Sequence, residues 1–201
     1  MTACFIAFVQ YSDPAKKFIL ANIALTLVAW IGSIVFICMI LCCYGRVHPT
    51  NLILLAGFTV CETYMVAATT IFYSPEVVVQ AGLATSLVTV SLTIYAFRTK
   101  VDIEVFQAMA FVVYLAMLPI LIISLFVFPG NLLYTLYNVL GVLLYSLFLI
   151  IDTMMICNNG KGMSNYAVGY DDYVMGAVML YIDIVMLFLY ILRLFGGNNN
   201  N

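Results

Sequence analysis

Six long apolar stretches alternate with short polar breaks along the chain, at approximately Phe18–Cys43, Asn51–Tyr73, Glu76–Phe97, Val105–Phe128, Leu132–Cys157 and Tyr173–Arg193. Each meets the need for roughly 20 apolar residues, at about 1.5 Å rise apiece, to cross a hydrocarbon layer about 30 Å thick. The breaks carry turn and helix-stop residues: Tyr44-Gly45-Arg46 with Pro49, Ser74-Pro75, Arg98-Thr99-Lys100 with Asp102, and Pro129-Gly130-Asn131. The longest connection, Asn158–Asp172, is polar and contains glycine. Ahead of the first span, MTACFIAFVQ is apolar but about half the length that crosses a bilayer, and it runs into the polar turn Tyr11–Lys17. The pattern predicts an all-α polytopic membrane bundle forming a single transmembrane domain over 1–201. A partial first helix and turn occupy 1–17, six full spans occupy 18–196, and a polar tail occupies 197–201.

Composition sharpens this reading. Of 201 residues 66% are hydrophobic and 8% charged, with mean hydropathy +1.15; a soluble domain of this size carries about a quarter charged residues. Seven Lys+Arg against nine Asp+Glu are too sparse and too balanced for a nucleic-acid surface. The first residues lack a basic n-region and a small-residue cleavage site, so neither a secretory signal nor a transit peptide is expected there. If the six spans alternate, Arg46, Arg98, Lys100 and Lys161 share one face, against Lys16, Lys17 and Arg193 on the other. The positive-inside rule places the first group in the cytosol, or in the matrix for a mitochondrial inner membrane.

Within this apolar frame, acids stand out. Asp152 lies in NVLGVLLYSLFLIIDTMMIC, Asp183 in YVMGAVMLYIDIVMLFLYILR, and Glu62 in the second span between Cys61 and Thr63. An ionised carboxylate in hydrocarbon is costly, and such residues mark ion or proton pathways or bind helices together by hydrogen bonds. Counted from the Arg46 face, Asp183 is ten residues beyond Tyr173, Glu62 eleven beyond Asn51, and Asp152 five before Cys157. At the helical rise this sets Asp183 and Glu62 roughly 15 Å deep and Asp152 somewhat shallower, so the three are expected near one layer. Two carboxyls in hydrogen-bond reach share one proton, which makes a pH-sensitive gate. Deprotonated, they offer hard oxygens for transient calcium binding during permeation.

The other residue types add packing more than chemistry. Gly32-Ser33, Ala56-Gly57, Ala67-Ala68, Gly82, Ser86, Gly141 and Gly176-Ala177 are expected at close helix contacts. Tyr44, Tyr73, Tyr134 and Tyr173 sit at span ends as interfacial anchors, whereas Tyr64, Tyr145 and Tyr181 are deep enough to reach the acids. His48, the single histidine, has no acid or nucleophile at motif spacing, and the six cysteines show no CxxC pair; no catalytic site, metal site or cofactor is expected. Asp152 after Ile151 and Asp183 after Tyr181-Ile182, with no neighbouring glycine, do not match intramembrane aspartyl proteases. Asp171 and Asp172 suit the dipole at the start of the last helix.

HPTNLILLAGFTVCETYMVAATTIFY, LGVLLYSLFLIIDTMMI and DDYVMGAVMLYIDIVMLFLYILRLFG together resemble the Bax inhibitor family, also called the lifeguard or transmembrane Bax inhibitor motif family. The resemblance runs from about His48 to Gly196, and its specific segment is the last. It implies a seven-helix fold, an endoplasmic reticulum, Golgi, mitochondrial or bacterial plasma membrane location, pH-dependent calcium leak and protection from cell death. It also implies that Asp152 and Asp183 are the family's paired aspartates and that Arg46 is a gate latch, against its alternative as a snorkelling anchor. The family's first helix is full length, whereas here only half of it is expected. A structured Asn198–Asn201 tail would need a neighbour to hold it. Two readings follow: a pH-gated calcium or cation leak, with bilayer, calcium and protons as partners, or a non-conducting accessory subunit of a large membrane assembly such as a respiratory complex.

Overall fold

A computed structural model describes residues 2–44, 47–126, 131–157 and 173–197. Arg46, the Asn158–Asp172 connection with Lys161, Asp171 and Asp172, and the Asn198–Asn201 tail lie outside the described residues. The elements are α1 (Thr2–Tyr11), α2 (Asp13–Ala21), α3 (Ile23–Met39) continued by a π-helical turn (Ile40–Tyr44), α4 (Thr50–Thr70), α5 (Pro75–Arg98), α6 (Ile103–Phe126), α7 (Asn131–Cys157) and α8 (Tyr173–Gly197). Six are long and apolar enough to cross a membrane, and the short apolar α1 precedes them. Among the described residues the fold is therefore all-α, as expected, with six long apolar helices and a short helix ahead of them.

Local sequence explains where helices start and stop. Pro75 opens α5, where its missing N–H costs nothing, with Glu76 in the first turn and Arg98 in the last, each at the favourable end of the dipole. Two details depart from the hydropathy reading. Only Ser12 separates α1 from α2, because Asp13 and Pro14 start a new helix through the stretch expected to be a polar turn. The span expected from Phe18 is interrupted at Asn22, whose Nδ2 donates to the Phe18 carbonyl at 2.9 Å and whose N–H donates to the Ile19 carbonyl. A side-chain amide that bonds its own backbone competes with the helical ladder, so the spanning helix begins at Ile23.

The described residues pack as two compact units. The first holds residues 1–78 and 170–178, with α4 contacting both α1 and α3. Val9, Phe58, Val66, Ala67 and Val174 are its fully buried apolar side chains. A Cβ on Gly57 would lie 2.7 Å from Phe36 Cζ, and one on Gly32 would lie 3.2 Å from Cys61 Sγ, so small residues let α3 and α4 approach as expected. The outward faces, including Trp30, Ile31 and Ile53, stay exposed and apolar, the surface that hydrocarbon solvates in a membrane protein.

The second unit holds residues 79–169 and 179–201, with α6 and α7 in extensive contact. Its core gathers Ala96, Ile103, Phe106, Ala110, Met117, Leu144, Ile150, Ile151, Met154 and Tyr190. Gly141 sits at a close contact as expected, but Gly82 does not: a Cβ there would meet nothing within 4 Å. Ser86, one turn on, is exposed, and the buried small residues next to these two positions are Ala81 and Thr85.

Candidate functional site

The second unit brings Asp152 of α7 and Asp183 of α8 together, their carboxyl groups hydrogen-bonded to one another. A hydrogen bond between two carboxyls requires a proton on at least one of them, so this contact exists only while the pair is protonated. Asp183 is 5% exposed, and its Oδ2 receives no bond from a hydroxyl, amide or ammonium. Asp152 is half-buried. Apolar neighbours Ile150, Ile151 and Met154 flank the pair on α7, and Thr153 turns its hydroxyl away to the Leu149 carbonyl at 2.6 Å. No cation among the described residues acts on either acid, so a proton held between them is what makes burial of two acids tolerable.

A run of aromatic side chains extends from the pair. Tyr145, one of the three deep tyrosines expected near the acids, is within electrostatic reach of Asp183. Its ring stacks on Tyr190 with centroids 5.6 Å apart and planes at 29°. The Tyr190 hydroxyl is 3.4 Å from that of Tyr137, its ring rests on the backbone at Gly141, and the Arg193 guanidinium lies 5.4 Å from its centroid. A cation over an aromatic face of this kind contributes about 0.5–2 kcal/mol. Further along α7, Asn138 is fully buried; its Nδ2 donates to the Tyr134 carbonyl at 2.8 Å, and its Oδ1 has no partner.

Sequence reasoning did not single out Tyr137, Asn138 or Tyr190, and it counted Arg193 only as a terminal charge. A signal was present. Tyr145 precedes Asp152 by seven residues and Tyr190 follows Asp183 by seven, two helical turns that return each tyrosine to its aspartate's face.

Glu62 belongs to the first unit and is half-buried on α4, with the Ser33 hydroxyl of α3 near it. Ser33 is itself buried and donates to the Trp30 carbonyl at 2.9 Å. Polar links hold the same unit elsewhere. Gln10 Nε2 donates to the Thr70 carbonyl at 2.6 Å, the Thr2 and Thr63 hydroxyls are 3.0 Å apart, and the fully buried Asn51 donates through Nδ2 to the Tyr173 hydroxyl at 3.0 Å.

Residues 1–200 match the family described as "Inhibitor of apoptosis-promoting Bax1". The chain belongs to the Bax inhibitor family. It is 30% identical to human Protein lifeguard 3 over 204 positions, which take in 99% of this chain and 64% of the human protein. Mouse Protein lifeguard 3 gives 29% identity over 99% and 65%. The Golgi anti-apoptotic protein of Vaccinia virus (strain Lister) gives 30% identity over 99% of this chain and 80% of the viral protein. The chain thus spans less than two thirds of the lifeguard 3 proteins. The Bax inhibitor match begins at residue 1, so α1 to α3 lie within it, beyond the stretch from His48 in which the resemblance is legible by eye. Six apolar spanning helices in a chain of this family make it an integral membrane protein.

Proposed function

We propose that this Bax inhibitor family protein is a proton-gated cation leak, with calcium as the favoured ion, and that it acts in an endomembrane to limit cell death. The observation that carries the reading is the hydrogen-bonded Asp152–Asp183 pair inside the bundle. With its proton the pair ties α7 to α8. Losing that proton replaces a hydrogen bond by the repulsion of two like charges, which favours separation of the helices. Two bare carboxylates then present hard oxygens suited to a calcium ion, too few for storage and weak enough to release it. Glu62 is proposed as a third acid on the ion's route and Arg46 as the latch. The endoplasmic reticulum or Golgi is favoured over the mitochondrial inner membrane by the viral relative's name, Golgi anti-apoptotic protein, and the anti-apoptotic role by the family description.

Calcium flux into dye-loaded liposomes carrying the purified chain tests this between acidic and alkaline pH, beside the Asp152→Asn/Asp183→Asn double variant. The expected result is a flux that rises toward alkaline pH and a double variant that no longer responds to pH. Folded, correctly inserted protein with no flux at any pH would sink the leak and leave a structural subunit of a larger assembly.

A further inference from the structure

Five residues of α7 fall on one stripe: Tyr134, Asn138, Gly141, Tyr145 and Asp152, spaced four, three, four and seven residues apart. These steps keep all five within a narrow sector of the helix. The opposing stripe on α8 carries Asp183, Tyr190 and Gly197 at intervals of seven. The two run antiparallel. Asp152 meets Asp183, Tyr145 meets Tyr190, and a Cβ on Gly197 would lie 3.4 Å from the Tyr134 ring. Along this seam Tyr145 reaches Asp183 electrostatically, and the Tyr190 and Tyr137 hydroxyls are 3.4 Å apart. The buried Oδ1 of Asn138, next to Tyr137 in the chain, is an acceptor without a partner. A buried acceptor without a donor is unfavourable unless it serves a further partner.

We propose that the hydroxyls of Tyr145, Tyr190 and Tyr137, with water as carrier between them and Asn138 Oδ1 as the outer acceptor, conduct protons between the aspartate pair and the membrane face where α7 begins. Each hydroxyl oxygen takes a proton from one neighbour as it releases its own to the next, so no hydroxyl gains or loses a proton overall, and each O–H rotates back before the next passage. Asp183 of α8 is faced by Asp152 and Tyr145 of α7, and Tyr190 of α8 is faced by Tyr137 and Tyr145 of α7 and by Arg193 of its own helix; Ala96, Phe106, Ala110 and Met117, which α5 and α6 bring to the surrounding core, are apolar. Arg193, stacked on Tyr190, disfavours a resting excess proton on that hydroxyl and keeps transfer transient. The inference rests on the proposed role of the pair as the proton-binding element, and it concerns the route by which the proton arrives.

The test uses the full chain in liposomes, its orientation read by labelling the exposed Cys157 with an impermeant maleimide. Time-resolved infrared spectroscopy follows the carboxylic C=O band that disappears in the Asp152→Asn/Asp183→Asn variant, after a pH jump on either face. Tyr137→Phe and Tyr190→Phe keep the rings and their packing while removing the hydroxyls. Each is expected to slow protonation from the face where α7 begins by roughly tenfold or more, with the rate from the Cys157 face and the band amplitude unchanged. Asn138→Leu is expected to slow the same face alone. Equal rates in wild type and all three variants from both faces would overturn the relay, as would the absence of any aspartate-dependent band. Calcium flux measured in the same vesicles separates the two ideas: normal band kinetics without flux rejects the leak and keeps the relay.

Discussion

Tyr190 lies over Gly141 so closely that a Cβ on the glycine would fall 2.7 Å from the ring's Cγ. The missing side chain is therefore what lets α8 lay its aromatic ring on the α7 backbone, two turns from the aspartate pair. Gly141→Ala is expected to push the ring away and to cost about 1–3 kcal/mol, the range for overpacking a close contact. Gly82→Ala, placed where nothing lies within 4 Å, is expected to be neutral or to gain up to about 1 kcal/mol from helix propensity. Thermal denaturation of the two variants in detergent checks the opposite signs.

Replacing one aspartate should be worse than replacing both. Asp183→Leu leaves Asp152 without its hydrogen-bond partner in an apolar setting, at an expected cost of about 1–3 kcal/mol or more. Asp152→Leu/Asp183→Leu removes both carboxyl groups and should recover much of that loss. A double-mutant cycle on denaturation midpoints reads the coupling; additive losses would contradict direct pairing.

Tyr173 anchors the start of α8 to α4 through its hydroxyl, which accepts from Asn51 Nδ2 at 3.0 Å. Tyr173→Phe removes that acceptor and retains the ring, with an expected loss of about 0.6–1.7 kcal/mol, the range for hydrogen bonds between membrane helices. Faster proteolysis or hydrogen exchange at the start of α8 would show it.

Gln10 offers a contrast in sign. Its amide donates to the Thr70 carbonyl, but its buried Oε1 has no partner, and the Thr70 carbonyl also accepts from the Tyr73 N–H at 3.1 Å. Gln10→Leu therefore removes an unsatisfied acceptor along with a bond the carbonyl partly replaces, and should shift stability by less than about 1 kcal/mol. Gln10→Glu places a carboxylate in the same buried position and should destabilise clearly more. Melting curves of the two proteins decide between them.

How much of this was legible beforehand depends on the residue. The stretches that became α4 to α8 were visible because a spanning helix needs its length in apolar residues whatever its neighbours are. Asn22 was hidden in such a stretch, since averaged hydropathy is insensitive to one amide that turns on its own backbone. Asp152 and Asp183 were conspicuous singly, as acids in hydrocarbon must be. Their pairing was an expectation that spacing alone does not force, because depth along two helices says nothing about their rotation. Tyr190 looked like any aromatic residue of an apolar helix until Gly141, 49 positions earlier in the chain, was placed beneath it.

The sequence by itself determined the solvent of this protein, the number and approximate ends of its spanning helices and the cost of its intramembrane acids, because those follow from local composition and the thickness of a bilayer. Only the tertiary structure decided that Asp183 shares a hydrogen bond with Asp152, that Tyr145 and Tyr190 stack on the same seam, that Asn138 keeps an open acceptor there, and that a side chain on Gly82 would meet no neighbour. The reason is physical: in a uniformly apolar helix every face satisfies the membrane, so which face turns inward is set by close packing and hydrogen bonding between helices distant in the chain.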